Sequence, residues 1–317
     1  MTFADDYGNQ HIGSIDDMER LLKVKTAAGD APLRIFHSMF DHRRANSANQ
    51  WGWGGAVYRL DGEVVAITGG LGDIARATAT RLRSEGAQVA LLDLGDGHEH
   101  PWLLENRSDS LLYLQADVCN RPQLDQALAH AARHFGRLDV LIANAGVVAN
   151  QPFLEVDGEA WERTLRVNLS GAFHAAQSAA RIMVAQSRRA SGSRGKILFT
   201  SSWVQDMPWP EGAAYATSKS GLRMLAKVIA QELAADGITS NVLAPGIVQA
   251  GLSARILETD PGFRARVAQA VPLGSLQTAE SVAAAFSFLC SSDSDYMTGA
   301  TLLVDGGASL VRRDTVT

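Results

Sequence analysis

The sequence predicts an α/β protein with a parallel β-sheet that is doubly wound by helices, preceded by an N-terminal extension. Three observations support this prediction. Short uninterrupted apolar runs recur along residues 60–317, segments with helical periodicity separate them, and a glycine-rich turn joins the first run to the first helix. Such apolar runs are typical of strands in sheets that are covered on both faces. The 317 residues, 46% of them hydrophobic, suffice to bury this core.

The elements are expected in the following order. Residues 1–59 form the extension, which is rich in Asn, Gly and charged residues and includes one capped helix near Ser14–Leu22. Residues 60–317 form a single domain. Its predicted strands are Val64–Ile67, Val89–Leu92, Leu111–Gln115, Val140–Ala143, Ile197–Thr200, Val242–Leu243 and Leu302–Val304. Helices are expected over Ile74–Ser84, along Tyr215–Leu233 and from about Ala279.

Composition and charge argue against several functional classes. A net charge of -5 and a pI of about 5.9 disfavour binding to nucleic acid or to an anionic membrane surface. No apolar stretch reaches the roughly 18 residues of a transmembrane helix, and no signal peptide is visible, so we expect a cytoplasmic protein. The two cysteines, Cys119 and Cys290, cannot form a four-cysteine zinc site. His130 and His134 lack a third ligand, so no metal site is predicted.

A dinucleotide-binding turn is predicted after the first strand, at Thr68, Gly69, Gly70, Gly72, Asp73 and Ile74. Glycines in this position allow backbone amides at a helix N-terminus to approach a pyrophosphate. Asp93, followed by Leu94, ends the second strand. An acidic side chain there accepts hydrogen bonds from both ribose hydroxyls and repels a 2′-phosphate. The sequence therefore predicts NAD as the cofactor.

Tyr215 and Lys219 are the strongest candidates for proton transfer. They lie four residues apart in a helical stretch, which places both side chains on one face. A phenol has a pKa of about 10, so proton transfer at neutral pH needs a shift of roughly three units. A nearby cation favours the phenolate, and we expect Lys219 to lower the pKa of Tyr215 in this way.

Four motifs together resemble the short-chain dehydrogenase/reductase family. They are Thr68-Gly69, Asn144-Ala145-Gly146, Tyr215-Ala216-Thr217-Ser218-Lys219 and Pro245-Gly246, and the similarity runs from about Leu60 to Gly307. The resemblance implies a Rossmann-type fold and an oxidoreductase that transfers a hydride between NAD(H) and a secondary alcohol or ketone.

The resemblance also implies roles for further residues. Ser202 would orient the substrate beside Tyr215, with Ser201 as the competing candidate, and Asn168 would bind a water that connects Lys219 to solvent. Asp117 and Val118 would flank the adenine, while Ile247 and Val248 would approach the carboxamide. Two features depart from the family pattern. Asp73 and Ala75 occupy the last two glycine positions of the turn, and Ala250 replaces a threonine that often follows the Pro-Gly turn.

The substrate pocket is expected to include Val148, Trp203, Val204, Met207, Trp209, Leu252 and Ile256. The loop Met207–Pro210 is similar to that of glucose 1-dehydrogenases of the family, and the segment Leu252–Gly274 is similar to that of sugar and polyol members. Valines, however, stand where those enzymes carry polar groups, and buried sugar hydroxyls need partners. A sugar or polyol therefore ranks only slightly above a cyclic or aromatic secondary alcohol. The alternatives are a reductase of an acyl-thioester ketone and a nucleotide-binding sensor without turnover.

Two further expectations concern mobility and assembly. Residues 246–274 form a long connection after the sixth strand and are expected to act as a lid over the substrate. The helices around Trp161–Met183 and Tyr215–Leu233 carry Ala, Leu and Met on more than one face. The resemblance places these helices in a dimer interface, and closed symmetry then predicts a homotetramer.

Overall fold

The computed structural model describes residues 58–250 and 270–310, together with the backbone of residues 2–4 and 10–12. The chain divides into two compact units, Met1–Ala56 and Val57–Thr317. In the first unit, strands β1 (Thr2–Ala4) and β2 (Gln10–Ile12) pair antiparallel, a feature that the sequence analysis does not predict. The helix expected at Ser14–Leu22 lies outside the described residues.

One parallel sheet of seven strands forms the centre of the second unit. Its strands are β3 (Val64–Thr68), β4 (Gln88–Asp93), β5 (Leu111–Gln115), β6 (Val140–Ala143), β7 (Gly195–Thr200), β8 (Ile238–Pro245) and β9 (Thr301–Val304). They lie in the order β5-β4-β3-β6-β7-β8-β9, so the winding direction reverses between β3 and β6. Ligands of such sheets bind outside the carboxyl ends of the strands at this switch point. The predicted doubly wound fold is confirmed.

Helices cover both faces of this sheet. They are α1 (Asp73–Ser84), α2 (Pro101–Glu105), α3 (Arg121–Phe135), α4 (Gly158–Leu165), α5 (Ala172–Ala185), α6 (Ala213–Leu233) and α7 (Ala279–Cys290). Leu124 of α3, Ala176 of α5 and Leu222 of α6 are buried in one core cluster, whereas Ala79 of α1 and Phe286 of α7 are buried in a second. These two clusters lie on opposite faces and fix the strand ends that build the site.

Side-chain caps determine where several of the helices begin. Asn120 accepts a hydrogen bond from the backbone amide of Gln123 at the start of α3, and Asp157 accepts one from Ala160 at the start of α4. Thr278 accepts one from Ser281 at the start of α7. Each cap satisfies a backbone amide that has no partner within its helix. The predicted start of the last helix near Ala279 agrees with this cap.

The segment predicted to be a lid, residues 246–274, is described only at its two ends. Residues 251–269 lie outside the described part of the chain, and this includes Leu252 and Ile256. Before them, the backbone amide of Gln249 donates to the carbonyl oxygen of Gln277 at 2.8 Å, and the Gln277 amide donates to that of Ile247 at 3.1 Å. The chain entering this segment is thus held to the residues just before α7.

Candidate active site

A cavity of about 770 Å³ opens at the carboxyl edge of the sheet, around the switch point between β3 and β6. It brings together residues that are far apart in the sequence. Those predicted as site residues that line it are Gly69, Gly72, Asp73, Ile74, Asp93, Asn144, Ala145, Gly146, Val148, Ser202, Tyr215, Lys219, Pro245, Gly246 and Val248. Other predicted site residues do not line it, namely Thr68, Gly70, Leu94, Asp117, Val118, Asn168, Trp203, Val204, Met207, Trp209 and Ile247.

The glycine-rich turn after β3 has no room for side chains. Gly69 has a φ of +68°, and a Cβ atom there would lie 2.8 Å from the Cα atom of Ala145. A Cβ atom on Gly70 would lie 2.7 Å from that of Leu91 in β4. The turn therefore packs closely against both neighbouring strands and leaves its backbone at the cavity wall, the arrangement that a pyrophosphate cradle needs.

A hydrogen-bonded network ties three strand ends together beside this turn. The Oγ1 atom of Thr68 accepts from the backbone amides of Asn144 and Ala145 at 3.0 and 3.1 Å. The Asn144 side chain donates to the Thr68 carbonyl oxygen at 3.1 Å and accepts from the Thr200 hydroxyl at 3.1 Å. Because these residues end β3, β6 and β7, the network holds the floor of the cavity rigid. The part played by Thr200 was not predicted.

Asp93 is held at the end of β4 by backbone amides. Its Oδ2 atom accepts from Leu71 at 2.9 Å and its Oδ1 atom from Gly95 at 3.1 Å. The basic residues among the described lining of the cavity are Arg163 and Lys219, which belong to α4 and α6. Neither belongs to β4 or to the loop that follows it. This end of the cavity therefore offers a carboxylate and no described cation.

Asp73, which departs from the family pattern, is the first residue of α1 and lines the cavity. The N-cap residue of this helix is Gly72, directly before Asp73. The Asp73 carboxylate forms an ion pair with the guanidinium of Arg76, one turn further along. The pair offsets the negative charge that Asp73 places near the turn.

Tyr215 and Lys219 share one face of α6, and both line the cavity. The Nζ atom of Lys219 donates to the carbonyl oxygen of Thr200 at 2.7 Å and lies 5.5 Å from the centre of the Tyr215 ring. Burial lowers the pKa of the Lys219 ammonium to about 8. Burial raises the pKa of the Tyr215 phenol, and a hydrogen bond with Ser202 acts in the opposite direction.

The expected lowering of the Tyr215 pKa by Lys219 is therefore wrong. The prediction considered only the spacing of the two side chains. In the structure, loss of water around the phenol is the largest influence on its pKa. The same loss of water disfavours the charged form of Lys219, which weakens the cation that was expected to act.

The structure distinguishes the two candidate serines after β7. The Ser201 hydroxyl donates to the backbone carbonyl oxygen of Lys219 at 3.0 Å and so is engaged with α6. The Ser202 hydroxyl accepts from the Val204 amide at 3.5 Å, and its interaction with the Tyr215 phenol acts to lower the pKa of that phenol. This geometry favours Ser202 as the residue beside the reacting oxygen, in agreement with its spacing.

Asn168 lies in a π-helical segment, Arg166–Gly171, which joins α4 to α5. Its Oδ1 atom accepts from the Val147 amide at 2.8 Å, and its Nδ2 atom donates to the Val147 carbonyl oxygen at 2.9 Å and to the Ser218 hydroxyl at 3.1 Å. Both donors of the buried amide are thus used within the protein. Asn168 anchors the turn after β6, where Val147 lines the cavity.

The aromatic residues between Ser202 and Tyr215 pack behind the site. Trp203 and Val204 are buried in an apolar cluster, and Met207, Trp209 and Tyr215 pack against it. The rings of Trp203 and Trp209 meet edge to face, with centroids 5.5 Å apart. Among the predicted substrate residues that the structure describes, Val148 alone lines the cavity.

Several lining residues were not predicted. They are Ala149, Ala160, Arg163, Thr164 and Thr200. Ala160, Arg163 and Thr164 follow a helical spacing that leads to Asn168, so the position of that asparagine could have indicated them. Across the part of the chain that the structure describes, no group of three or more His, Cys, Asp or Glu residues is arranged to hold a metal ion. None of the described helices is long and apolar enough to cross a membrane.

Comparison with known proteins identifies relatives that cover most of the chain. A family model described as enoyl-(acyl carrier protein) reductase matches residues 70–309. The chain is 34% identical over 254 residues to 3beta-hydroxysteroid dehydrogenase 1 of Eggerthella lenta, which covers 79% of this chain and 95% of that protein. It is 33% identical over 258 residues to L-2,3-butanediol dehydrogenase of Corynebacterium glutamicum, which covers 77% of this chain and 98% of that protein.

The solved structures agree with these relatives. The crystal structure of a short-chain type dehydrogenase/reductase from Mycobacterium marinum superposes with a TM-score of 0.72 at 28% sequence identity. The superposition covers 80% of this chain and 98% of that one.

Proposed function

The chain belongs to the short-chain dehydrogenase/reductase family of oxidoreductases, and on that premise we propose that it interconverts a secondary alcohol and a ketone with NAD(H). One observation carries the proposal. The proton-transfer candidates Tyr215 and Ser202 line the same cavity as the glycine-rich turn and Asp93.

Nicotinamide cofactors are general in this family, and the residues present fit one. The side-chain-free turn at Gly69 and Gly70 would hold the pyrophosphate, and the fixed carboxylate of Asp93 would accept from the adenosine ribose hydroxyls. NAD is favoured over NADP because a 2′-phosphate would meet Asp93 with no described cation of the cavity lining beside it. Bound there, the cofactor supplies or accepts the hydride.

The chain itself supplies the proton. In the reducing direction, the Tyr215 phenol donates its proton to the oxygen of the substrate, and in the oxidising direction it accepts the proton of the alcohol. Ser202 stabilises negative charge on that oxygen with a second hydrogen bond. Lys219, held on the carbonyl oxygen of Thr200, places its ammonium 5.5 Å from the centre of the phenol ring.

The substrate is proposed to be an apolar secondary alcohol rather than a sugar. The cavity lining includes Val147, Val148 and Ala149, and none of these residues has a side-chain hydrogen-bonding group. Hydroxyl groups of a buried sugar would lack partners there, and each would cost about 1–3 kcal/mol. The relatives act, by their names, on hydroxysteroids and on butanediol, and alcohols of these two kinds have fewer hydroxyl groups to satisfy beside this lining than a sugar has.

A homotetramer remains the proposed assembly. Exposed apolar side chains follow the two helices that the sequence predicts at a subunit interface, with Phe173 and Val184 on α5 and Met224 and Val228 on α6. A second exposed apolar set lies on and near the edge strand β9, at Tyr296, Leu303 and Leu310. Two separate apolar surfaces are what a closed tetramer with two kinds of interface requires.

An assay that follows the reduced cofactor by its absorbance tests the proposed reaction. The full-length protein would be mixed with NAD or NADP and with a 3β-hydroxysteroid, butane-2,3-diol, cyclohexanol or glucose, and absorbance at 340 nm followed. We expect turnover of at least one of the three alcohols that are not sugars, with a higher kcat/KM for NAD. Preference for NADP would contradict the argument from Asp93, and preference for glucose would contradict the substrate class. Tight cofactor binding without turnover of any alcohol would instead favour the sensor.

A further inference from the structure

Arg163 lies at the substrate end of the cavity and has no role in the reaction described above. It belongs to α4 and faces the cavity together with Ala160 and Thr164, at positions one helical turn apart. The turn of residues 147–149, which follows β6, lines the cavity beside them. The same helix leads through Thr164 to Asn168, which holds this turn in place.

Arg163 is an exposed residue whose guanidinium is available for a ligand. Within the described parts of the chain, no hydrogen bond or ion pair engages its side chain. The carboxylate of Asp157, the N-cap residue of the same helix, accepts from the Ala160 amide at 2.7 Å and from Gln151 at 2.8 Å. Arg163 thus presents several donors in a planar array to the cavity, and such an array matches the two oxygens of a carboxylate.

The topology separates Arg163 from the adenosine end of the cofactor site. Asp93 ends β4, which lies on one side of β3, whereas α4 follows β6 on the other side. A cation that served the 2′-phosphate of NADP would have to lie beside Asp93. Arg163 therefore belongs with the substrate and not with the adenosine.

From this arrangement, and resting on the proposed function, we infer that Arg163 binds a carboxylate on the part of the substrate that is remote from the reacting carbon. The substrate is then a secondary alcohol or ketone with an apolar body and an acidic end. The oxygen that reacts lies at Ser202 and Tyr215, the apolar body contacts Val147 and Val148, and the carboxylate reaches Arg163. An apolar body next to the guanidinium would also exclude water from the ion pair and strengthen it.

Matched pairs of ketones test this inference. The probes are 4-oxopentanoate, 5-oxohexanoate, 6-oxoheptanoate and 7-oxooctanoate, each beside its methyl ester, which removes the charge and keeps the ketone. With NADH, we expect wild-type protein to show a kcat/KM about tenfold higher for the acid than for its ester at one or more chain lengths. Arg163→Gln should abolish that preference by raising the KM of the acid, while Arg163→Lys should retain part of the preference.

Two controls distinguish binding of the carboxylate at Arg163 from a general effect of the positive charge of the protein. Arg133→Gln removes an exposed arginine from the last turn of α3 and should keep the wild-type preference for the acid. The dissociation constant of NADH, measured by fluorescence, should be the same in Arg163→Gln as in wild type.

Two results would overturn the inference while leaving the proposed function intact. One is that, at every chain length, the kcat/KM for the acid is no higher than that for its ester. This includes the case in which neither compound reacts although a neutral alcohol does. The other is an acid preference that survives in Arg163→Gln. Failure of every ketone and alcohol with NADH or NAD would instead refute the proposed function.

Discussion

The carboxylate of Asp73 pairs with the guanidinium of Arg76 at the start of α1, where the family pattern has a glycine facing the pyrophosphate. The ion pair explains how an acidic residue can occupy this position. An unpaired carboxylate would repel the pyrophosphate, and Arg76 offsets that charge from within the same helix.

We therefore expect Arg76→Gln to weaken NADH binding by roughly two- to fivefold, the range typical of partly exposed charge pairs. Asp73→Asn should tighten binding, and Arg76→Gln should have little further effect in the Asp73→Asn background. Fluorescence titration gives the NADH dissociation constants of wild type, the two single variants and the double variant, which together form a double-mutant cycle. Arg83→Gln, which changes an arginine of α1 bonded to Ser108 and Ser110, is the control. Additive effects of the two changes would show that the pair does not protect the cofactor site.

Ser202→Ala and Ser201→Ala should differ sharply. Ser202 interacts with the Tyr215 phenol and acts to lower its pKa, whereas the Ser201 hydroxyl donates to the backbone carbonyl oxygen of Lys219. Loss of a donor to a developing oxyanion costs about 100- to 1,000-fold in kcat, so we expect that loss for Ser202→Ala. Ser201→Ala should cost less than about tenfold, the typical net value of one hydrogen bond. Steady-state kinetics measure both, and equal losses would contradict the assignment of Ser202.

The buried ammonium of Lys219 predicts a specific pH dependence of stability. Its pKa in the folded protein is about 8, against 10.5 for an ordinary lysine. Between these values the unfolded chain binds more protons than the folded one, so this group destabilises the fold at pH 7 by roughly 3 kcal/mol and ceases to do so as the pH rises from 8 to 10.5. Lys219→Met removes this titration.

Urea unfolding of wild type and Lys219→Met at pH values from 7 to 10 checks the sign. The free energy of unfolding of wild type should rise relative to that of the variant across this range. The absolute difference also includes the lost hydrogen bond to Thr200, so the slope with pH is the informative quantity. A difference that does not change with pH would show that Lys219 titrates normally.

The proposed assembly can be tested on the exposed face of α6. Met224 is 62% exposed and Val228 is 43% exposed in the single chain. Met224→Lys together with Val228→Lys would bury two charges in the interface, which we expect to reduce the mass measured by light scattering from a tetramer to a smaller species. Leu104→Lys, at an exposed apolar residue of α2, is the matched control and should leave the mass unchanged. A wild-type monomer would refute the tetramer outright.

Local patterns predicted the sheet well where strands are apolar and less well where they are polar. The strand β8 was expected only at Val242–Leu243 but extends over Ile238–Pro245. Its polar residues Ser240 and Asn241 are buried, and Asn241 donates to the carbonyl oxygen of Met297 and accepts from the amide of Ala300. Partners nearly sixty residues away make these polar side chains suitable for a strand, and no local pattern reveals them.

In the site, too, local patterns revealed some residues, whereas others depend on contacts between distant parts of the chain. Tyr215, Lys219 and Asp93 were found because their spacing along one helix, or their place at a strand end, is itself the signal. Helical spacing from Asn168 indicates which face of α4 meets the cavity, but the access of Arg163 to the cavity also depends on how α4 packs beside α6. The direction of the Tyr215 pKa was wrong for a related reason, since it depends on the burial contributed by the whole surrounding structure.

The account depends most on Tyr215 as the proton donor, and a single-turnover experiment with Tyr215→Phe tests this most directly. The variant lacks only the phenolic oxygen, so the fold and the NADH dissociation constant should match wild type. Mixing the NADH complex with a ketone that wild type reduces should then show a rate of NADH oxidation lower by roughly 100- to 10,000-fold, the usual contribution of a general acid. A rate within about threefold of wild type at equal NADH occupancy would contradict the assignment of Tyr215 as the proton donor, because a general acid contributes roughly 100- to 10,000-fold to the rate.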